Sequence, residues 1–134
     1  MKNKFLSFFL FLFISKLFFF NVNSAEQFNF DITEIEILQN GDVVKGIKKG
    51  TISTNDGLTI TADTFIYEKL LNILTADGNV KIEDTNKNLE IYSDNVIYNK
   101  NKEIITTNKN SKAIYKTGKI IFADTFKLYR RENI

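Results

Sequence analysis

The sequence predicts an all-β fold of the hairpin-rich sandwich or roll type, and three observations carry that expectation. Turn-forming clusters recur at intervals of about ten residues. Between them the apolar residues alternate with polar ones, the period of a strand with one buried and one wet face. Among its 134 residues the chain has no proline, which suits a fold in which almost every backbone N–H donates to a ladder.

The first element is a leader. Lys2 and Lys4 form a positive start, Phe5 to Ser15 an apolar run, and Val22-Asn23-Ser24-Ala25 a stretch of small residues suited to cleavage after Ala25. Lys16 interrupts the apolar run well short of the ~20 residues that a membrane span wants, so a secretory signal over residues 1–25 is favoured over an anchor. Eight of the thirteen phenylalanines lie in it. Three of the 18 basic residues do too, with no acidic residue before Glu26. Residues 26–134 therefore carry 15 basic and 16 acidic groups, interspersed as on a solvated surface and unlike a nucleic-acid footprint.

The mature segment, 26–134, reads as one β domain. Its apolar phases are Ile35/Ile37, Leu58/Ile60/Ala62, Phe65/Tyr67, Val80/Ile82 and Leu89/Ile91. Asn40-Gly41-Asp42, Asn55-Asp56-Gly57, Asp77-Gly78-Asn79, Asn108-Lys109-Asn110 and Thr117-Gly118 are among the turns that separate strands. Gly and Asn tolerate the positive φ of tight turns. No window sustains a helical stripe.

A repeat runs through this pattern. Ala62-Asp63-Thr64-Phe65-Ile66-Tyr67 matches Ser93-Asp94-Asn95-Val96-Ile97-Tyr98 and then Ala123-Asp124-Thr125-Phe126, with the aspartates 31 and 30 residues apart. Ile73 to Asn79 lines up with Ile104 to Asn110 at the same offset. Such self-similarity predicts stacked units, none of which buries its apolar face alone. The sequence stops at Ile134, within what would be a third unit, so a stacking partner or a continuation is expected to cover the free strand edge.

Candidate chemistry is sparse. With no Cys, His or Trp, the chain lacks disulfides, the usual zinc ligands and the commonest general base. Asp63, Asp94 and Asp124 could converge as a metal site, but no second carboxylate joins any of them at ligand spacing, and corner residues bonding backbone N–H groups are expected instead. Tyr67 and Tyr98 are expected to bury their rings and wet their hydroxyls, and Arg130-Arg131 to be exposed. No phosphate loop or nucleophile elbow occurs. The chain is not expected to be an enzyme, and no cofactor is implied.

The segments Ile60-Thr61-Ala62-Asp63-Thr64-Phe65-Ile66-Tyr67 and Leu74-Thr75-Ala76-Asp77-Gly78-Asn79-Val80-Lys81-Ile82, with the opening Phe30 to Ile37 and Asn40-Gly41-Asp42, resemble the OstA-like family of periplasmic lipopolysaccharide-transport proteins. The resemblance spans nearly all of the mature chain through short motifs. It departs at Thr107-Asn108-Lys109-Asn110, which lacks the glycine of Asp77-Gly78-Asn79. It implies an open antiparallel β-roll, or β-jellyroll, of two facing sheets in the periplasm of a Gram-negative type envelope. Lipid A acyl chains would pass along its apolar interior toward the outer membrane, and other components of the transport system, or further copies, would join head to tail by strand addition. Family members serve as soluble bridge, anchored component or front domain of an outer-membrane translocon, and these motifs leave the three open.

Ile37, Ile60, Phe65, Leu74, Val80, Ile82, Leu89 and Ile91 belong to the apolar phases and are expected to line that groove. Acyl chains suit such a lining, because each methylene leaving water contributes about 0.8 kcal/mol. The other reading is a structural or adhesive cell-surface β-repeat without lipid cargo.

Overall fold

The computed structural model describes residues 28–131. The leader expected over residues 1–25 and the terminal Asn133-Ile134 lie outside the described residues. Twelve strands follow in order: β1 (Asn29–Ile32), β2 (Ile35–Leu38), β3 (Val43–Gly46), β4 (Gly50–Ser53), β5 (Leu58–Ala62), β6 (Thr64–Glu68), β7 (Ile73–Asp84), β8 (Leu89–Asn99), β9 (Ile104–Asn108), β10 (Ser111–Tyr115), β11 (Ile120–Ala123) and β12 (Lys127–Tyr129). The only helical element among the described residues is a 3-10 turn at Gln39–Gly41.

Pairing is antiparallel throughout, and it divides the strands between two leaves. One leaf runs β1-β4-β5, then the second half of β7, the first half of β8, β10 and β11. The other runs β2-β3-β6, then the first half of β7, the second half of β8, β9 and β12. The two long strands cross from leaf to leaf and join them at a spine, where the register of β7 with β8 shifts between Asp77 and Val80. No backbone pairing joins the leaves on the far side among the described residues, so the roll is open.

The expected repeat reappears as a repeat of hydrogen bonds. At the spine the Asp63 N–H donates to the Gly78 carbonyl (2.9 Å), and the Asp94 N–H to that of Lys109 (3.4 Å). Asn79 Nδ2 donates to Asp63 Oδ2 (2.7 Å) and Asn110 Nδ2 to Asp94 Oδ2 (2.6 Å). The aspartates are thus corner residues, but their side chains bond asparagine amides and not the backbone. No group of three acidic side chains that could hold a metal occurs among the described residues.

Losing the glycine in the second unit does not change the corner. Gly78 and Asn79 have φ of +78° and +47°, and Lys109 and Asn110 have +67° and +47°. Lysine adopts the left-handed conformation there at a steric cost. Of the expected turn residues, Asn40, Asn88, Gly41, Gly57 and Gly118 have positive φ, as does Asn72 in a further turn.

Candidate functional site: an apolar trough and its mouth

Cross-strand register sets the inner residues into rows perpendicular to the strands. One leaf contributes Phe30, Ile52, Ile60, Ile82, Ile91, Ala113 and Ile121, one from each strand. The other contributes Ile37, Val44, Tyr67, Leu74, Tyr98, Ile105 and Leu128. All of the first row, and Tyr67 to Leu128 of the second, line the core between the leaves, and Val44 and Ile37 extend the second row to the end of its leaf. Period-two alternation explains why: the intervening residues, such as Thr61, Lys81 and Tyr92 in one register line, occupy the opposite face.

Seven of the eight residues expected in the groove are buried here: Ile60, Phe65, Leu74, Val80, Ile82, Leu89 and Ile91. Ile37 departs from the expectation. It holds the inward register, opposite Val44, yet is 69% exposed. The reason is its place on β2, the last strand of its leaf among the described residues, where no further described strand covers it. Ile35 and Leu38 on the same strand are exposed as well. At the other end Ile121 and Leu128 are only partly buried, on β11 and β12, each of which pairs on one side only.

No protein-family model matches the sequence, and no curated protein does. Among solved structures the chain is similar to LptH of Pseudomonas aeruginosa, described as the LptA-homologous periplasmic component of the conserved lipopolysaccharide transport device. The TM-score is 0.69 at 13% identity, over 78% of this chain and 76% of that one. The chain has the LptA-like β-jellyroll fold.

The open side of this jellyroll is its mouth, rimmed by the hairpin turns. The turns of each rim stack on one another: the Thr85 N–H donates to the Gly57 carbonyl on one, and the Lys100 and Arg130 N–H groups to Asn72 and Glu103 on the other. Side chains close the gap between the rims. Arg130, directly after β12, reaches across to the opposite leaf, where Nε donates to Asp84 Oδ2 (3.1 Å) and Nη1 to Asp56 Oδ2 (2.8 Å). Its side chain is only 4% exposed, so the exposed terminal charge expected from sequence is instead buried. Burial of that cation is offset by the carboxylates around it.

The rest of the cluster completes this arrangement. The Tyr98 hydroxyl donates to Glu103 Oε2 (2.5 Å) and accepts from Arg130 Nη1 (3.3 Å) and Lys100 Nζ (3.4 Å). Lys100 Nζ also donates to Glu103 Oε1 (2.8 Å). Tyr98 is fully buried, which corrects the expectation of a wet hydroxyl. Burial, helped by the Glu103 carboxylate, pushes its pKa up to about 12. Burial also pushes the Asp56 carboxyl up, but hydrogen bonds from Thr54 and Arg130 and the Arg130 charge outweigh it, leaving Asp56 below its ordinary value. No buried side-chain polar atom among the described residues lacks a hydrogen-bond partner. Beside the cluster Phe28 packs edge-on against Tyr67 and Tyr98, with ring centroids 5.1 and 5.6 Å away.

The repeat holds a signal for this cluster. Tyr67 donates to Asn72 Oδ1 (2.9 Å) in the first unit, and Tyr98 to Glu103 in the second. Glu103 thus occupies the place of Asn72 and keeps its positive φ, +53° against +54°. A glutamate at an asparagine's left-handed position is uncommon.

Proposed function

We propose that this protein is a periplasmic module of lipopolysaccharide transport, which holds lipid A acyl chains between the two apolar rows and passes them along toward the outer membrane. The observation that carries this reading is the pair of rows itself. They run from end to end, and their last members, Ile37 on one side and Ile121 and Leu128 on the other, are not fully covered. A closed globular core would bury its ends. The jellyroll likeness to LptH, a periplasmic transport component, supports the same reading.

Similar modules, or further copies of this chain, join head to tail through the free edges of β1 and β2 at one end and β11 and β12 at the other. The outward residues of one leaf support that direction: β2 carries Glu36 at one end and β12 carries Lys127 at the other. Opposite charges brought side by side on a continuing sheet favour the pairing. The mechanism needs no catalysis. Acyl chains slide between many similar weak contacts, none of which has directional bonds to break.

A photo-crosslinker at Ile60 or Phe65 should capture lipopolysaccharide, and one at Thr59 or Thr61 should not. Crosslinker at Ile37 should capture lipid or the neighbouring module. Replacing Ile60 with Asp should block transport while circular dichroism shows the sheet intact, because a carboxylate there is costly to bury. Lipid capture on both phases, or on neither, would replace this reading with a structural β-repeat, which the close packing of the interior would then favour.

A further inference from the structure

The trough is full as it stands. Ile52, Ile60, Leu74, Ile82 and Ile105 are each 1% exposed or less, so a guest chain requires the leaves to part. At the spine β7 and β8 run continuously from one leaf into the other, and the leaves cannot separate there. Parting is confined to the mouth.

The mouth is closed by side-chain ion pairs, whereas the spine is held by two continuous strands. An apolar seam gains nothing from water when it opens. Asp56, Asp84, Glu103, Lys100 and Arg130 satisfy one another when closed, and water satisfies them when open. That gives two acceptable states instead of one. Among the side chains that span the mouth, Arg130 is bonded to Asp56, 74 residues away in sequence, and to Asp84, 46 away, with the Lys100 charge also acting on Asp56 and Phe28 packed against Tyr67 and Tyr98 beside them. A pocket of about 400 Å³ lies in front, lined by Asn72, Asn101 and Arg131 together with members of the cluster. Glu103 sits under it in a left-handed conformation that the fold does not require of a glutamate, since the first unit uses asparagine at the same place.

We propose that the mouth over Arg130 is where an acyl chain enters the trough, and that the Arg130–Asp56–Asp84 cluster is the latch that parts to admit it. The latch sets how often the interior is accessible, and so scales the apparent affinity for an acyl ligand by the open fraction. This rests on the trough reading above only for the identity of the guest. The motion of the leaves stands or falls separately.

The test uses the absence of native cysteine. Spin labels at Lys87→Cys and Lys102→Cys, on opposite rims, report the width of the mouth by pulsed dipolar spectroscopy. In Arg130→Gln the distance distribution should gain a longer component that the parent lacks, and Arg130→Lys, which keeps the charge but loses the fork, should fall between. The dissociation constant for a dansylated undecanoic acid should fall about tenfold in Arg130→Gln. Bridging the two cysteines with a short bismaleimide should abolish uptake with the circular dichroism unchanged. Should Arg130→Gln prove unstable, Asp56→Asn supplies the same comparison. An unchanged distance distribution overturns the latch whether or not the probe binds. Full binding to the bridged protein overturns entry by the mouth and leaves the trough standing. A changed distance with no probe binding to any form supports the latch and removes the acyl guest.

Discussion

Replacing Gly78 with Ala probes the spine, because two separable effects meet at that residue. Its φ of +78° costs an L-residue roughly 1–2 kcal/mol, less about 0.4–1 kcal/mol regained from the stiffer unfolded chain. The new Cβ would lie 2.6 Å from Asp63 Oδ2 and 3.0 Å from Asp63 Cβ. Asp63 must swing away and give up its bond from Asn79. That bond is exposed, so its loss costs about 0.5–1 kcal/mol. The total centres on about 1.5 kcal/mol, or a Tm lower by roughly 6–12 °C for a domain of this size. Urea unfolding of the mature chain, followed by far-ultraviolet circular dichroism, measures it. In an Asp63→Ala background the same substitution should cost only about 1 kcal/mol, since the clash and the bond are already gone. The counterpart Lys109→Gly removes left-handed strain and adds backbone entropy, and should lie within about 0.5 kcal/mol of the parent. A Gly78→Ala cost below about 0.5 kcal/mol, or equal costs in both backgrounds, would refute this account of the corner.

Other outcomes follow from the core and the mouth. Ile82→Ala should destabilise by about 2–5 kcal/mol through its cavity, whereas Ile37→Ala, on an uncovered strand, should cost under about 0.5 kcal/mol yet weaken self-association in sedimentation. Tyr98→Phe removes the hydroxyl donor from Glu103 Oε2, with Lys100 remaining on Oε1, and should cost about 1–3 kcal/mol in the same unfolding assay. With its pKa raised to about 12, Tyr98 supports the fold fully below the ordinary tyrosine value near ~10. That support is lost as pH rises from there through 12, and Tyr98→Phe should remove that part of the alkaline decline. Asp56 has the opposite sign: its depressed carboxyl stabilises above the ordinary aspartate value near ~3.9 and loses that contribution as pH falls through the lower folded value. Acid titration of Asp56→Asn should show a shallower decline below about pH 4.

Much of this architecture is legible in the order of residues because it rests on local physics. Period-two alternation decides which face of each strand is apolar, so Ile60, Phe65, Leu74, Val80, Ile82, Leu89 and Ile91 are assigned to the interior without any coordinates. Asparagine and glycine mark the turns because they tolerate positive φ, and the spacing of Asp63, Asp94 and Asp124 marks the spine. The tertiary structure decided what depends on position within the stack. Ile37 has the same phase as its neighbours, but only the placement of β2 at the end of its leaf leaves it uncovered. Lys109 reads as a break in the pattern, yet Asn110 and Asp94 hold the corner that Gly78, Asn79 and Asp63 form in the first unit. Arg130 reads as a solvated charge near the end of the chain because neither Asp56 nor Asp84 is near it in sequence. Folding both leaves back over one interior brings those carboxylates to it across the mouth, and long-range electrostatic pairing of that kind leaves no periodic trace in the chain.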